Sequence, residues 1–267
     1  MRRPISPMVL FLFLWTAGAA QSGAVQVQSK AGLAVWDTGQ PAAPVLAPTA
    51  LAGKNDWTSI PLGKTTASFQ GDAILSNGRI VAVVRKQDAV VEVHAVKPDG
   101  VPARLRLRLL TSSGEPASRL ERVALVENSK ANICLEATFK TAKGTEVSGK
   151  FRLRRGEVTI QAEPGSGASR LRVECSGRFV VLPDFFADDI AIDAVKLPLD
   201  AVELPSENFV LHMTGDGDAI AMCVFENRRQ DVKVTLAGTG PQRLVTGSEI
   251  GFEGKKIWVA VLEAPRI

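Results

Sequence analysis

The sequence of 267 residues has no tyrosine, and aromatic residues make up only 6% of it. Carbohydrate-binding surfaces commonly rely on stacked aromatic rings, so this scarcity counts against a carbohydrate-binding surface. Only two histidines occur, His94 and His212, which excludes a three-histidine metal site. The H-E-x-x-H and G-x-S-x-G motifs are missing, as are the P-loop and dinucleotide fingerprints. These absences exclude the zinc-hydrolase, serine-hydrolase and nucleotide-binding designs that those motifs define.

Cysteine is also sparse, and the net charge is modest. Cys134, Cys175 and Cys223 each lie in an apolar, strand-like segment, and no pair has the spacing of metal ligands. We expect buried free thiols, with one disulfide as the alternative in an oxidising compartment. The formal net charge of +4 does not point to a nucleic-acid partner.

Residues 1–20 have the pattern of a secretory signal peptide. Arg2 and Arg3 precede an apolar run over residues 8–15, and small residues follow the run. The run is shorter than the roughly 20 residues that a membrane span needs. We therefore expect cleavage at the end of this segment, with an uncleaved anchor as the alternative. The sequence predicts an exported protein, periplasmic or extracellular, with no transmembrane segment after cleavage.

The rest of the chain divides into two regions. Residues 21–56 are rich in Ala, Pro, Gly and Ser, and they predict a flexible arm or linker with one strand at VQVQ or LAVW. Residues 57–267 predict a β-sandwich domain, because about a dozen strand-like segments follow one another at regular spacing. Asn77-Gly78 joins two of them as a hairpin, and ARLRLRLL alternates as a half-buried strand does. We predict an all-β fold, an antiparallel two-sheet sandwich of the super-sandwich type.

The one long interruption in this series is FVVLPDFFADDIAIDA, which carries four aspartates beside two phenylalanines. Oxygen-rich segments suit hard cations such as calcium, and loops on rigid β-scaffolds often carry binding sites. In a single helical turn Asp184 and Asp188 would share one face, as would Asp189 and Asp193. A capped surface turn, a cation or sugar site, and catalytic carboxylates are the three interpretations. The candidate ligand-binding residues are Asp184, Phe186, Asp188, Asp189, Asp193 and His212.

A second acidic candidate lies in HMTGDGDAI. Asp216 and Asp218 flank a glycine, as in some calcium-binding loops, but the same pattern forms tight hairpin turns. These two aspartates are the candidate metal ligands, and calcium is the one candidate cofactor. His212, in the same segment, would act as a general base beside an aspartate or as a structural side chain.

Arginines alternate with apolar residues along several predicted strands. If those strands were neighbours, one sheet would present an arginine-rich face that binds the carboxylates or sulfates of an anionic polysaccharide. A solvated face balanced by glutamates is the other interpretation. The arginines are Arg104, Arg106, Arg108, Arg152, Arg154, Arg170 and Arg172.

The segments GDAILSNGRIVAVVRK, FVVLPDFFADDIAIDA and LPSENFVLHMTGDGDAIAMCVFENR resemble exported proteins of planctomycete-type bacteria, over about residues 57–265. At the level of fold, GDAILSNGRIVAVV is similar to the start of super-sandwich domains in galactose mutarotase-like proteins and polysaccharide lyases. This resemblance implies a sugar-facing β-domain, catalytic or non-catalytic. The paired histidines and glutamate of active mutarotases are not recognisable, so aldose epimerase activity is not expected.

Two functional hypotheses follow. The first is an exported, non-catalytic binding or scaffold domain for glycans at the cell envelope. The second is a carbohydrate-active enzyme, of glycoside hydrolase or polysaccharide lyase type, that uses the acidic segment over residues 184–193.

Overall fold

The structure is a computed structural model that describes residues 32–41, 46–54, 56–183, 189–205, 208–214, 217–227 and 232–263. This part of the chain forms nineteen strands, one short helix, α1 (Pro48–Gly53), and two 3₁₀ turns, Ala194–Lys196 and Gly240–Gln242. The first ten strands are β1 (Ala34–Asp37), β2 (Thr58–Ile60), β3 (Ala73–Ser76), β4 (Ile80–Val84), β5 (Val91–Ala95), β6 (Ala103–Leu110), β7 (Ala117–Asn128), β8 (Asn132–Thr141), β9 (Glu146–Arg154) and β10 (Thr159–Pro164). The other nine are β11 (Arg170–Gly177), β12 (Phe179–Pro183), β13 (Asp189–Asp193), β14 (Ala201–Leu204), β15 (Phe209–Thr214), β16 (Ala219–Phe225), β17 (Val232–Ala237), β18 (Leu244–Gly251) and β19 (Ile257–Glu263).

The strands form two sheets, and every pair of hydrogen-bonded neighbours is antiparallel. The ten-stranded sheet has the order β14-β17-β18-β11-β6-β5-β4-β3-β1-β2. The nine-stranded sheet has the order β13-β12-β15-β16-β19-β10-β9-β8-β7. The prediction of an all-β, antiparallel two-sheet fold is confirmed.

One large apolar core lies between the two sheets, and alternation along the strands builds it. On β6, Leu105, Leu107 and Leu109 are buried in this core, while the arginines between them point to the other face. On β9 the same alternation places Phe151 and Leu153 in the core. Each sheet therefore has an apolar inner face and an outer face on which polar side chains collect.

A smaller core covers part of the outer face of the ten-stranded sheet. Leu51 of α1 packs there with Ile74 and Val83. Strand β1 pairs with β2 and β3. It overlaps LAVW, one of the two segments within residues 21–56 for which the sequence predicted a strand. This section of the predicted arm is therefore built into the sandwich.

Two local predictions are confirmed by the structure. The Asn77-Gly78 hairpin forms between β3 and β4, and Gly78 has a φ of 83°, which glycine adopts without steric cost. The three cysteines are buried free thiols, and loss of solvation raises the pKa of Cys175 to about 12. Within the described residues, no helix has the length and apolar character needed to cross a membrane.

Candidate functional site

The acidic segment is only partly described by the structure. Asp184, Phe186 and Asp188 lie outside the described residues. Asp189 and Asp193 lie at the two ends of β13, the edge strand of the nine-stranded sheet, rather than on the helical turn that the sequence suggested. Because these two residues are four positions apart on a strand, their Cα atoms are about 13 Å apart, although both side chains point to the same face. These two carboxylates therefore do not converge on one small ion.

Asp193 already has a structural role at the end of β13. Its carboxylate accepts hydrogen bonds from Arg178 Nε and Nη2 at 3.1 and 2.8 Å, and from the backbone N–H of Val195 at 3.1 Å. The hydrogen bond from Arg178 is the main cause of the lowered pKa of Asp193. This is the behaviour of a residue that caps the 3₁₀ turn after β13.

His212 is buried between the two sheets. Its exposed fraction is 1%, and its Nε2 lies 3.0 Å from Ser248 Oγ on β18 of the opposite sheet. Loss of solvation lowers the pKa of His212 to about 4, so its imidazole is neutral at physiological pH. The structure thus places His212 in the interior, away from the described part of the acidic segment at the edge of the sheet.

The structure describes only part of the second acidic candidate, which falls between β15 and β16. Asp216 lies outside the described residues, whereas the carboxylate of Asp218 accepts a hydrogen bond from Arg104 Nη1 at 3.0 Å. Arg104 also forms a two-bond contact with Glu263, and this contact is the main cause of its raised pKa. The described residues contain no cluster of three or more His, Cys, Asp or Glu side chains suited to a metal ion.

The predicted arginine face divides between the two sheets. Strands β6 and β11 are neighbours in the ten-stranded sheet, but their arginines are held by acids. Arg106 pairs with Asp88, and Arg108 pairs with Glu174. The guanidinium of Arg172 pairs with Glu249, and Arg170 Nη1 and Lys233 Nζ approach the same carboxylate at 3.9 and 3.7 Å. Acids therefore balance the charge of this face, although the carboxylate of Glu249 is buried rather than solvated.

A groove lined by cationic side chains lies instead at one end of β8, β9 and β10 in the nine-stranded sheet. We call it the basic groove; its volume is about 690 Å³, and it is open to solvent. Five cationic side chains line it, against one acid, Glu157. The cations are Lys130, Arg152, Arg154, Arg155 and Lys256.

Two tight turns form the rim of the basic groove. In the turn between β7 and β8, Ser129 N donates to the carbonyl oxygen of Asn132 at 2.8 Å. In the turn between β9 and β10, the N–H of Arg155 donates to the carbonyl oxygen of Ala131 at 3.0 Å, which ties the two turns together. Asn77, from the hairpin of the opposite sheet, donates from Nδ2 to the carbonyl oxygens of Arg154 and Glu157 at 2.7 and 2.8 Å. The second turn is therefore fixed by both sheets.

Acids offset only part of the positive charge of the basic groove. Glu127 pairs with Arg152, Glu157 lies 3.8 Å from Arg154, and Glu163 lies 3.5 Å from Lys256. Burial alone would raise the pKa of Glu127, but hydrogen bonds from Arg152, Asn132 and Ser129 lower it below its usual value. Lys130 and Arg155 make no ion pair with any residue that the structure describes. Three acids against five cations leave two positive charges in excess.

A single row of residues crosses the outer face of the nine-stranded sheet, and two of its members, Arg152 and Gln161, line the basic groove. Strand pairing places Cys134 opposite Arg152, Arg152 opposite Gln161, and Gln161 opposite Trp258. Trp258 points outward because Ile257 and Val259 on either side of it are buried in the main core, and it is partly exposed.

Gln161 is the unusual member of this row. Its side chain is 4% exposed, and its Nε2 donates to Glu163 Oε1. Its carbonyl oxygen Oε1 is buried and accepts no hydrogen bond from any residue that the structure describes. Buried polar atoms are nearly always hydrogen bonded, so such an oxygen calls for an explanation. Sequence reasoning missed Gln161: the alternation in EVTIQAE indicates that it faces away from the core, but no local signal shows its neighbours.

No protein-family profile matches the sequence, and no curated protein matches it either. Among solved structures, the chain is similar to a heparan sulfate lyase HepC mutant from Pedobacter heparinus. The TM-score is 0.37 and the sequence identity is 11%; the match covers 82% of this chain and 40% of the lyase chain. This chain thus spans about two fifths of the length of that lyase, and the likeness is one of β-rich fold alone.

Proposed function

We propose that this chain is an exported, non-catalytic β-domain that binds an acidic glycan in the basic groove. The observation that supports this function best is the collection of five cationic side chains in one open groove of about 690 Å³. The side chains of Lys130 and Arg155 make no ion pair within the described part of the chain, and they are suited to the carboxylate or sulfate groups of a polymer. An open groove admits a chain that continues in both directions, as a polysaccharide does.

The proposed location supports a glycan rather than another polyanion. Residues 1–20 have the composition of a secretory signal peptide. A protein exported to the cell envelope meets acidic polysaccharides more often than nucleic acids. The rigid strands β8, β9 and β10 would hold the cationic side chains in place before the ligand arrives.

The geometry of the described residues does not favour the enzyme hypothesis. Glycosidases hold their two carboxyl groups roughly 5–9.5 Å apart. Asp189 and Asp193, the two acids of the segment that the structure describes, have Cα atoms about 13 Å apart along β13, and Asp193 is held by Arg178. Asp184 and Asp188 lie outside the described residues. We propose binding without catalysis because the basic groove is the stronger site.

Isothermal titration calorimetry at low ionic strength tests the proposal with acidic and neutral oligosaccharides of equal length. The mature protein should bind the acidic ligands only, and added salt should weaken binding because the attraction is electrostatic. The double variant Lys130→Ala/Arg155→Ala should weaken binding roughly 5- to 30-fold, since each lost ion pair contributes up to about 1 kcal/mol.

The charge-matched control is Lys143→Ala/Lys196→Ala, which removes two exposed lysines outside the groove. It should leave the affinity within about twofold of wild type. If wild type binds no acidic glycan, or if the two double variants lose affinity equally, the proposed function is wrong.

A further inference from the structure

We propose that the row Arg152–Gln161–Trp258 is a sugar-reading subsite that makes the basic groove select acidic saccharides over other polyanions. This inference rests on the proposed function and assigns it specific residues. On one outer face, Gln161 is the direct cross-strand partner of both Arg152 and Trp258. Such partners have Cβ atoms about 4.5–5.5 Å apart, so a short saccharide can contact all three at once.

Each position in the row supplies a different contact. The guanidinium of Arg152 has five N–H donors, and Glu127 engages its Nη1, so other donors remain for a ligand anion. The indole of Trp258 is partly exposed and offers an apolar face to a sugar ring. Gln161 lies between the cation and the indole, where the hydroxyl groups of such a ring would be.

The buried oxygen of Gln161 is the observation that points to hydroxyl groups. Its amide nitrogen is engaged by Glu163, but its Oε1 accepts no hydrogen bond from the described part of the chain. Leaving a buried acceptor unsatisfied costs about 1–3 kcal/mol. A sugar hydroxyl can donate to this oxygen, whereas a fully ionised phosphate polymer has no donor to offer. Because Gln161 is 4% exposed, this donation requires a small displacement of neighbouring side chains when the ligand binds.

Titration calorimetry with four ligands separates charge from sugar recognition. The ligands are a uronate tetrasaccharide, a sulfated tetrasaccharide, a neutral tetrasaccharide and an inorganic polyphosphate of matched charge. The variant Gln161→Met keeps the size of the side chain but removes the acceptor. We expect it to weaken binding of at least one acidic saccharide roughly tenfold, the value of one lost hydrogen bond. Polyphosphate affinity should change less than twofold.

Trp258→Leu should lower the affinity for acidic saccharides and leave the affinity for polyphosphate nearly unchanged. In contrast, Lys130→Ala/Arg155→Ala should weaken the binding of saccharide and polyphosphate alike. A second measurement does not depend on the folding of Gln161→Met. Addition of the acidic saccharide to wild type should shift the tryptophan emission, and the shift should be lost in Trp258→Leu although Trp36 and Trp57 remain.

The outcomes distinguish the inference from the proposed function. If acidic saccharides bind but Gln161→Met affects them no more than polyphosphate, or if the emission of Trp258 does not respond, the subsite is wrong while the proposed function stands. If wild type binds polyphosphate and no saccharide, both are overturned.

Discussion

At the residue scale, the interior of this protein contains a polar contact that joins the two sheets. His212 on β15 and Ser248 on β18 are almost fully buried and lie within hydrogen-bond distance. The pair spans the apolar core, and the imidazole must stay neutral there because a buried charge would lack solvation. The folded state therefore resists protonation of His212, and this links stability to pH.

We predict that stability falls as the pH drops from about 6.5 to about 4. Because the pKa of His212 is lowered to about 4 in the folded protein, the unfolded state binds the extra proton in this range. The contribution of His212 to the free energy of unfolding is fully present above pH 6.5, and about 3 kcal/mol of it is lost near pH 4. Urea unfolding at a series of pH values measures it.

The control for that prediction is His212→Gln, which can still hydrogen-bond Ser248 but does not titrate. The free energy of unfolding of this variant should change less with pH between 4 and 6.5 than that of wild type. Identical pH slopes in the two proteins would contradict the assignment.

At the scale of elements, the Asn77-Gly78 hairpin does more than reverse the chain. Asn77 Oδ1 accepts from the N–H groups of Arg79 and Ile80, as an asparagine in a turn commonly does. Its Nδ2 reaches the opposite sheet and binds two carbonyl oxygens in the turn between β9 and β10. A hairpin of one sheet thereby fixes the rim of a groove on the other.

We predict that Asn77→Ala loosens this rim. The variant leaves two backbone carbonyls without a donor, and it should lower the free energy of unfolding by about 2–4 kcal/mol. Amide hydrogen exchange should speed up at Arg155, whose N–H closes the contact between the two rim turns. Glycan affinity should fall as well, because Arg155 is then less well ordered.

Ser76→Ala is the matched control because Ser76 lies in the same hairpin and its Oγ accepts a hydrogen bond from the N–H of Gly78, within that hairpin. It should leave exchange at Arg155 unchanged. If Asn77→Ala also leaves that exchange rate unchanged, Asn77 does not position the groove.

At the scale of the whole molecule, local sequence patterns predicted the faces of strands but not their neighbours. The alternation in ARLRLRLL correctly assigns leucines to the core and arginines to the outer face. It does not show that β6 lies beside β11, where Glu174 and Glu249 neutralise the arginines. Neighbours depend on long-range pairing, which no short window of sequence encodes.

The basic groove was missed for the same reason. Its floor depends on the pairing of β9 with β10 and of β10 with β19, and its rim depends on turns from two hairpins. Arg152 and Arg154 were recognised as outward-facing, but Gln161 and Trp258 become their neighbours only in the folded sheet. The acidic candidates at Asp184, Asp188 and Asp216 stay predictions, because they lie outside the described residues.

An acidic saccharide that binds at the basic groove must perturb the outer face of the nine-stranded sheet. Two-dimensional ¹H–¹⁵N NMR of the mature protein, titrated with an acidic tetrasaccharide, locates the binding site. We predict chemical-shift changes that centre on Arg155, Gln161 and the indole N–H of Trp258. Changes centred on residues 184–193 instead, with the groove signals unmoved, would show that the proposed binding site is wrong and restore the acidic segment as the candidate.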